Sequence, residues 1–225
     1  MRLEAARGRL PALVGFYDEE LGLDLAERGQ DGLTLTVGET ALELVAAPGE
    51  PFYHFALLVP GNRFREALEW ARERTELLPD PDSGAVVFDF DNWHACACYF
   101  HDPAGNIVEL IAHRGVEESR AEDAFRPSEL VGLSELGLVG DAAGMARALA
   151  GLGLELWDGT VDEPGRLAFV GERARTLILA PRARGWLPTG RAAEPHAVEL
   201  LVAAAAPAEA ELEGGRYRIR TVGAD

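Results

Sequence analysis

The sequence predicts an α+β protein built from tandem βαβββ modules. Two observations carry this prediction. A strand, a helix and three strands are expected before residue 48, and the same order is expected again between residues 52 and 113. A third, weaker repetition follows a charged linker. Because one supersecondary unit recurs along the chain, the fold is predicted to arise by duplication of a module.

The first module covers residues 1–48. Residues 2–6 form a candidate strand, and residues 10–21 form a predicted helix because their apolar side chains fall on one stripe at helical spacing. Gly22 is placed to end that helix. Alternation of threonine with leucine and valine is typical of a half-buried strand. Three strands are therefore expected at residues 23–27, 32–37 and 40–46.

The second module covers residues 50–115. Its first strand, residues 52–59, contains His54, and its helix is predicted over residues 63–77 with Asn62 as the cap. A segment rich in turn-forming residues follows at 79–84. Strands are then predicted at residues 85–90, 94–100 and 107–112, and Glu109 lies in the last of them.

The second half of the chain repeats the pattern less completely. Residues 114–127 are charged and read as a linker. A third unit is predicted with a strand at 133–139, a helix from Asp141 to Leu152 and strands at 154–157, 166–170 and 175–179. The last unit, residues 196–222, has room for strands but not for a helix. Residues 128–225 are therefore predicted to be a second, degenerate domain with a truncated last module.

Composition and charge exclude several classes of partner. The formal net charge is -17, with 21 basic and 38 acidic residues, which opposes binding to nucleic acid or to anionic membranes. No apolar run approaches the ~20 residues of a membrane span, and the N-terminus lacks a signal-peptide pattern. We expect a cytoplasmic protein, monomeric or homodimeric, whose partner is a small-molecule ligand or substrate.

Two motifs carry a family resemblance. Residues 16–22 contain F-Y followed by L-G at a helix end, and residues 99–110 read Y-F-H-D-P-A-G-N-I-V-E-L. Both resemble motifs of the vicinal oxygen chelate superfamily, which includes glyoxalase I, bleomycin resistance proteins, fosfomycin resistance enzymes and extradiol dioxygenases. The resemblance implies that paired modules form cupped mixed sheets. Residues 1–48 and 50–115 are thus expected to form one cleft.

The resemblance also implies metal ligands on the first and fourth strands of paired modules. His54 and Glu109 occupy those positions in the second module, and Glu43 occupies the fourth-strand position in the first. The first strand of the first module usually carries a histidine, but this chain offers Arg2 and Glu4. We therefore expect Glu4 to join His54 and Glu109 as a ligand, while Arg2 is suited to binding an anionic group of a substrate.

The residue types support a metal site but leave an alternative open. An unpaired polar group in a closed core costs roughly 2–7 kcal/mol, so the two end-strand residues must face a cavity or a partner. An imidazole with carboxylates suits Zn, Mn, Ni, Fe or Co, whereas a buried histidine–glutamate hydrogen bond needs no metal. Trp93, His94 and Tyr99 are expected to contact a substrate. Glu135 and Glu199 repeat the ligand positions in the second half, which is assigned a structural role.

The predicted function is that of a glyoxalase-like, metal-dependent enzyme of the lyase or isomerase type, acting on a small oxygen-chelating substrate. Glu43 is the expected catalytic residue, moving a proton while the metal acts as a Lewis acid. Extradiol dioxygenase chemistry is disfavoured because a second histidine is missing. The alternative is a metal-free small-molecule binding protein of the bleomycin-resistance type, for which the acidic charge favours a cationic ligand.

Overall fold

A computed structural model describes residues 1–163 and 165–223 and shows four successive strand-rich units. The strands of the first unit are β1 (Arg2–Ala6), β2 (Asp24–Arg28), β3 (Gly32–Val37) and β4 (Thr40–Ala47). Those of the second are β5 (His54–Val59), β6 (Phe88–Phe90), β7 (Ala95–His101) and β8 (Ile107–His113). The principal helix of each is α1 (Leu10–Val14) and α2 (Phe64–Arg72), respectively.

The third unit again has one helix and four strands, whereas the fourth has strands alone. The third unit contains β9 (Gly132–Val139), α3 (Ala142–Ala150), β10 (Leu156–Gly159), β11 (Ala168–Glu172) and β12 (Arg175–Ala180). A short hairpin, β13 (Gly185–Trp186) and β14 (Arg191–Ala192), follows it. The fourth unit contains β15 (Val198–Ala204), β16 (Ala208–Leu212) and β17 (Tyr217–Gly223). Within the described ranges, no helix is long and apolar enough to span a membrane.

The strands form two large mixed sheets, which confirms the predicted α+β fold of cupped sheets. One sheet has seven strands in the order β16-β17-β15-β1-β4-β3-β2, and the other has eight in the order β10-β11-β12-β9-β5-β8-β7-β6. The first module thus shares a sheet with the fourth, and the second shares a sheet with the third. The expected cleft between residues 1–48 and 50–115 is not formed by one sheet. Instead, β5 pairs antiparallel with β9, and β1 pairs antiparallel with β15.

Strand alternation separates a shared core from the opposite face of each sheet. Leu3 and Leu44 of the seven-stranded sheet and Phe55 and Val108 of the eight-stranded sheet belong to one apolar cluster with the helices. A second apolar cluster, including Ala56, lies on the other face of the eight-stranded sheet. We call this second face the eight-stranded cup, and the corresponding face of the other sheet the seven-stranded cup. Side chains two positions apart in a strand lie on the same face of the sheet, so a residue two positions from a cup residue also faces that cup.

The helices differ from their predicted lengths for local reasons. The first helical segment begins as a 3₁₀ turn at Arg7–Arg9, and after α1 it continues as a π-helical turn at Gly15–Glu20. Gly22 then adopts a φ of +70°, which favours glycine. The helix predicted to reach residue 77 ends five residues earlier, because Leu77 is already extended and forms a β-bridge with Phe100.

A buried hydrogen-bond network explains the two recognised motifs. The Tyr17 hydroxyl donates to Oδ2 of Asp102 at 2.8 Å, and Oδ1 of Asp102 accepts the backbone N–H groups of Ala104 and Asn106. The Asn106 side-chain oxygen accepts the backbone N–H of Tyr53 at 2.8 Å. Together these bonds connect the first helix, the β7–β8 turn and the approach to β5. The motifs therefore stabilise the scaffold that carries the candidate site.

Candidate metal centre

Three ionisable side chains converge on the floor of the eight-stranded cup. His54 comes from β5, Glu109 from β8 and Glu135 from β9, and one candidate ligand atom from each lies within 4.8 Å of the others. The strand register explains the meeting, because Ala56 pairs with Glu109 on one side and with Glu135 on the other. Relative exposures of 5%, 2% and 4%, in chain order, show that the group is buried.

The hydrogen bonding of His54 directs its second ring nitrogen toward a carboxylate. Nδ1 lies 3.1 Å from the backbone oxygen of Ile107, and a carbonyl oxygen can only accept, so Nδ1 carries the proton. In the neutral ring, Nε2 then presents a lone pair, and it lies 3.5 Å from Oε2 of Glu109. Two acceptors that face each other require a proton or a cation between them.

Burial shifts the proton affinities of all three groups toward their neutral forms. It lowers the pKa of His54 to about 4. It raises the pKa of Glu109 well above its ordinary value, and the nearby charge of Glu135 raises it further. Burial alone raises the pKa of Glu135 to about 8. A divalent cation would compensate both carboxylates, and one imidazole nitrogen with carboxylate oxygens is a donor set that suits Zn, Mn, Fe, Ni or Co. The residues therefore fit a metal ion.

Most of the remaining eight-stranded cup is apolar, although the buried polar side chains of Thr176, the cross-strand partner of Glu135, and His113 share this face. Its walls include Phe52, Ala56, Tyr99, Ile107, Ile178 and Trp186. In the second module His54 pairs with Ile107, and Glu109 lies two residues farther along β8. In the third module Glu135 pairs with Thr176, so the position equivalent to Glu109 is Ile178, an apolar residue. Among the residues that the structure describes, the metal-competent group thus has three members, and its surroundings are largely apolar.

Arg2, Glu4 and Glu43, which the sequence assigned to the same site, lie on β1 and β4 in the other sheet. They do not join His54 and Glu109. The reason is the strand order, which places β1 beside β15 and β4 instead of beside β5. These side chains alternate with core residues and therefore face the seven-stranded cup, where Arg2, Glu4 and Glu43 line a cavity of about 500 Å³.

Arg2 occupies the place in the seven-stranded cup that Ala56 occupies in the eight-stranded cup. It pairs with Glu43 on β4 and with Glu199 on β15, just as Ala56 pairs with the two carboxylates of the metal centre. Its Nε lies 3.5 Å from Glu43 and its Nη1 lies 3.6 Å from Glu199. In this cup the chain itself supplies the cation between the paired carboxylates.

The three residues expected to contact a substrate have different positions. Tyr99 is buried in the cup wall as the cross-strand partner of a metal-centre carboxylate. Trp93 lies at the rim, where its ring packs edge-on against Phe169 at 4.5 Å and its Nε1 donates to Asp158 at 2.6 Å. His94 is exposed, and with a φ of 49° it ends the short turn that carries Trp93.

Glu135 is the member of the centre that sequence reasoning placed in the structural half. The available signal was a lone carboxylate in an apolar strand, in the same position of its module as His54. That signal indicated that Glu135 and His54 occupy equivalent positions in their modules, but it did not indicate that they lie close together. Proximity follows from the antiparallel pairing of β5 and β9.

Comparisons with solved structures support the fold. A putative dioxygenase from Bacillus subtilis subsp. subtilis str. 168 is similar over 98% of this chain and 83% of its own, with 14% identity and a TM-score of 0.59. A mutant of glyoxalase I from Zea mays is similar over 88% and 72%, with 19% identity and a TM-score of 0.53. No protein-family model and no curated protein matches the chain.

At these identities the likeness concerns the fold. The chain has the fold of these two structures, and this is the fold that the motif resemblance implied. The protein therefore combines this fold with a candidate buried metal centre.

Proposed function

We propose that this chain is a glyoxalase-like, metal-dependent enzyme of the lyase or isomerase type. In this proposal His54, Glu109 and Glu135 hold a divalent ion, and a small substrate offers it adjacent oxygens. The observation that carries the proposal is the convergence of these three buried side chains on one point. When bound, such an ion supplies Lewis-acid polarisation of a substrate oxygen.

Each residue of the centre has a role that its surroundings support. The Ile107 carbonyl fixes the tautomer and orientation of His54, so that Nε2 is the donor atom. Glu109 and Glu135 supply two carboxylate oxygens. Three protein ligands are typical of catalytic sites in which further coordination positions stay open. A substrate would take those positions.

We assign proton transfer to a carboxylate of the eight-stranded cup. Glu43, the residue expected from the sequence, lies in the other sheet. Glu109 and Glu135 are the carboxylates of the eight-stranded cup, and both would lie beside the ion, within reach of a proton on a chelated substrate. Tyr99 and Trp93 would contact the substrate from the wall and the rim. A cytoplasmic location and a monomeric or homodimeric state stay predictions from the sequence.

The test is elemental analysis of the purified protein after separate incubation with Zn²⁺, Mn²⁺, Ni²⁺ and Fe²⁺. We expect one ion per chain, and we expect His54→Ala and Glu135→Gln each to weaken binding at least about 100-fold, since even residues behind the ligands often contribute 10- to 100-fold. Glu199→Gln in the other cup is the matched control and should bind normally. Failure of all four ions to bind would refute the proposal and favour a metal-free small-molecule binding protein.

A further inference from the structure

A strap of residues 181–197 connects β12 to β15 and crosses the eight-stranded cup. Its hairpin is held by β13–β14 pairing and by backbone hydrogen bonds from Ala193 to Arg184 at 2.8 Å and from Ala183 to Ala193 at 3.0 Å. Trp186 and Ala193 belong to the apolar cluster of the cup and are almost fully buried. Leu187, the next residue along the strap, is 49% exposed. The strap thus has one face in the cup and one in solvent.

The Trp186 indole lies directly beside the candidate metal centre. Its ring centroid is 5.0 Å from that of His54, with an interplanar angle of 45°. A Cβ atom added at Gly137 would lie 2.6 Å from Cη2 and 2.8 Å from Cζ2 of the indole. Gly137 follows Glu135 by two residues and so shares its face of β9. A glycine at this position is therefore what admits the indole to the cup.

Arg191 is one of the residues that attach the strap to the rim. The guanidinium carbon of Arg191 lies 3.3 Å from the centroid of the Phe52 ring, and Nη1 donates to the Gly105 backbone oxygen at 2.9 Å. A guanidinium over an aromatic ring is attractive, by about 0.5–2 kcal/mol depending on solvent exposure. These contacts join the strap to Phe52, two residues before β5, and to the β7–β8 turn.

We propose that Trp186 determines the ligand specificity of the eight-stranded cup by closing access to His54 and limiting the size of the group beside it. Its ligands are molecules with adjacent oxygens and a small uncharged body, because the walls around the centre are largely apolar and the indole occupies the space next to His54. The ligand class rests on the proposed function, whereas the closure by Trp186 does not depend on a metal.

The closure can be tested without any metal. Diethyl pyrocarbonate acylates the unprotonated nitrogen of a neutral imidazole, which is Nε2 in His54. Peptide mass mapping of the metal-free protein should show that His54 is labelled at least about tenfold faster in Trp186→Ala than in wild type. In wild type the indole must first move away from His54, and the variant removes this step. Trp157→Ala at the rim is the matched control and should leave the rate unchanged. Equal rates for wild type and Trp186→Ala would overturn the proposal.

A second variant and an internal reference keep the labelling test decisive. Gly137→Ala should also accelerate labelling of His54, because the added methyl group displaces the indole from the cup. His113 is fully buried and lies outside the strap, so its slow labelling reports an intact fold. If His113 is labelled rapidly in Trp186→Ala, that variant has lost its fold and Gly137→Ala decides the question. Labelling of His54 in Gly137→Ala at the wild-type rate would then overturn the proposal.

Size selection is tested on protein loaded with Co²⁺, using acetohydroxamate and the larger naphthohydroxamate as probes with two adjacent oxygens. Titration calorimetry should show that Trp186→Ala raises the affinity for the larger probe relative to the smaller at least about tenfold. An unchanged ratio would refute the role in specificity. If neither protein takes up Co²⁺ or any of the four ions tested above, the proposed function fails instead, and the labelling rates still decide whether Trp186 closes the cup.

Discussion

The stability of the metal-free protein should fall as the pH rises from about 6.5 to about 8. In the unfolded chain a glutamate with the ordinary pKa of 4.5 is fully ionised in this range, but burial keeps Glu135 protonated in the folded state up to a pKa of about 8. The folded state therefore binds one more proton than the unfolded state, and stability declines with pH. At about 1.4 kcal/mol per pH unit, the loss over this window is about 2 kcal/mol.

Neighbouring groups define the useful window. The raised pKa of Glu109, caused by burial and by Glu135, acts in the same direction. Burial lowers the pKa of His54 to about 4, and burial with the charge of Arg173 lowers that of His113 to about 4. These histidines add stability as the pH rises from 4 toward their ordinary value of 6.5, so below 6.5 the two effects oppose each other. Above 6.5 the histidine contribution fades and the two carboxyl groups make stability fall, whereas the N-terminal amino group, whose pKa burial lowers from 8.0, opposes them, so the difference between wild type and Glu135→Gln isolates the carboxyl contribution.

The assay is urea unfolding in the presence of a chelator at several pH values across this window. Glu135→Gln should make the profile less steep, because only Glu109 is left to titrate, whereas Glu199→Gln in the seven-stranded cup should keep the wild-type slope. A saturating divalent ion should remove the decline, since the bound carboxylates are then ionised in the folded state. A wild-type profile that is level or rises toward pH 8, or a Glu135→Gln profile as steep as wild type, would refute the reasoning.

Two further predictions concern the scaffold and the other cup. Tyr17→Phe removes the 2.8 Å hydrogen bond to the buried Asp102 carboxylate and should cost about 2 kcal/mol in urea unfolding; unchanged stability would show that this bond does not hold the first helix to the β7–β8 turn. Arg2→Ala removes the guanidinium between Glu43 and Glu199 and should add one weak Mn²⁺ site per chain in equilibrium dialysis, and no additional ion would contradict the view that Arg2 takes the place of a metal.

Local patterns in the sequence determined the order of strands and helices in each module and the faces of the strands. Alternation along β5 and β8 put His54 and Glu109 opposite the core residues, which is the arrangement that the structure shows. The motif over the β7–β8 turn contains Asp102 and Asn106, whose hydrogen bonds only the structure shows. The order of the elements, the strand faces and the position of this turn depend on residues within a few positions of one another, so a single sequence is sufficient to predict them.

The tertiary structure alone decided which modules share a sheet, and with that the composition of the site. Side-chain alternation with a period of two specifies the face of a strand, but the backbone N–H and C=O groups at a strand edge can pair with any available edge. The pairing of β5 with β9 brought Glu135 to His54, and the pairing of β1 with β15 left Arg2 between Glu43 and Glu199. Placing Trp186 over Gly137 likewise required the path of the strap between two sheets.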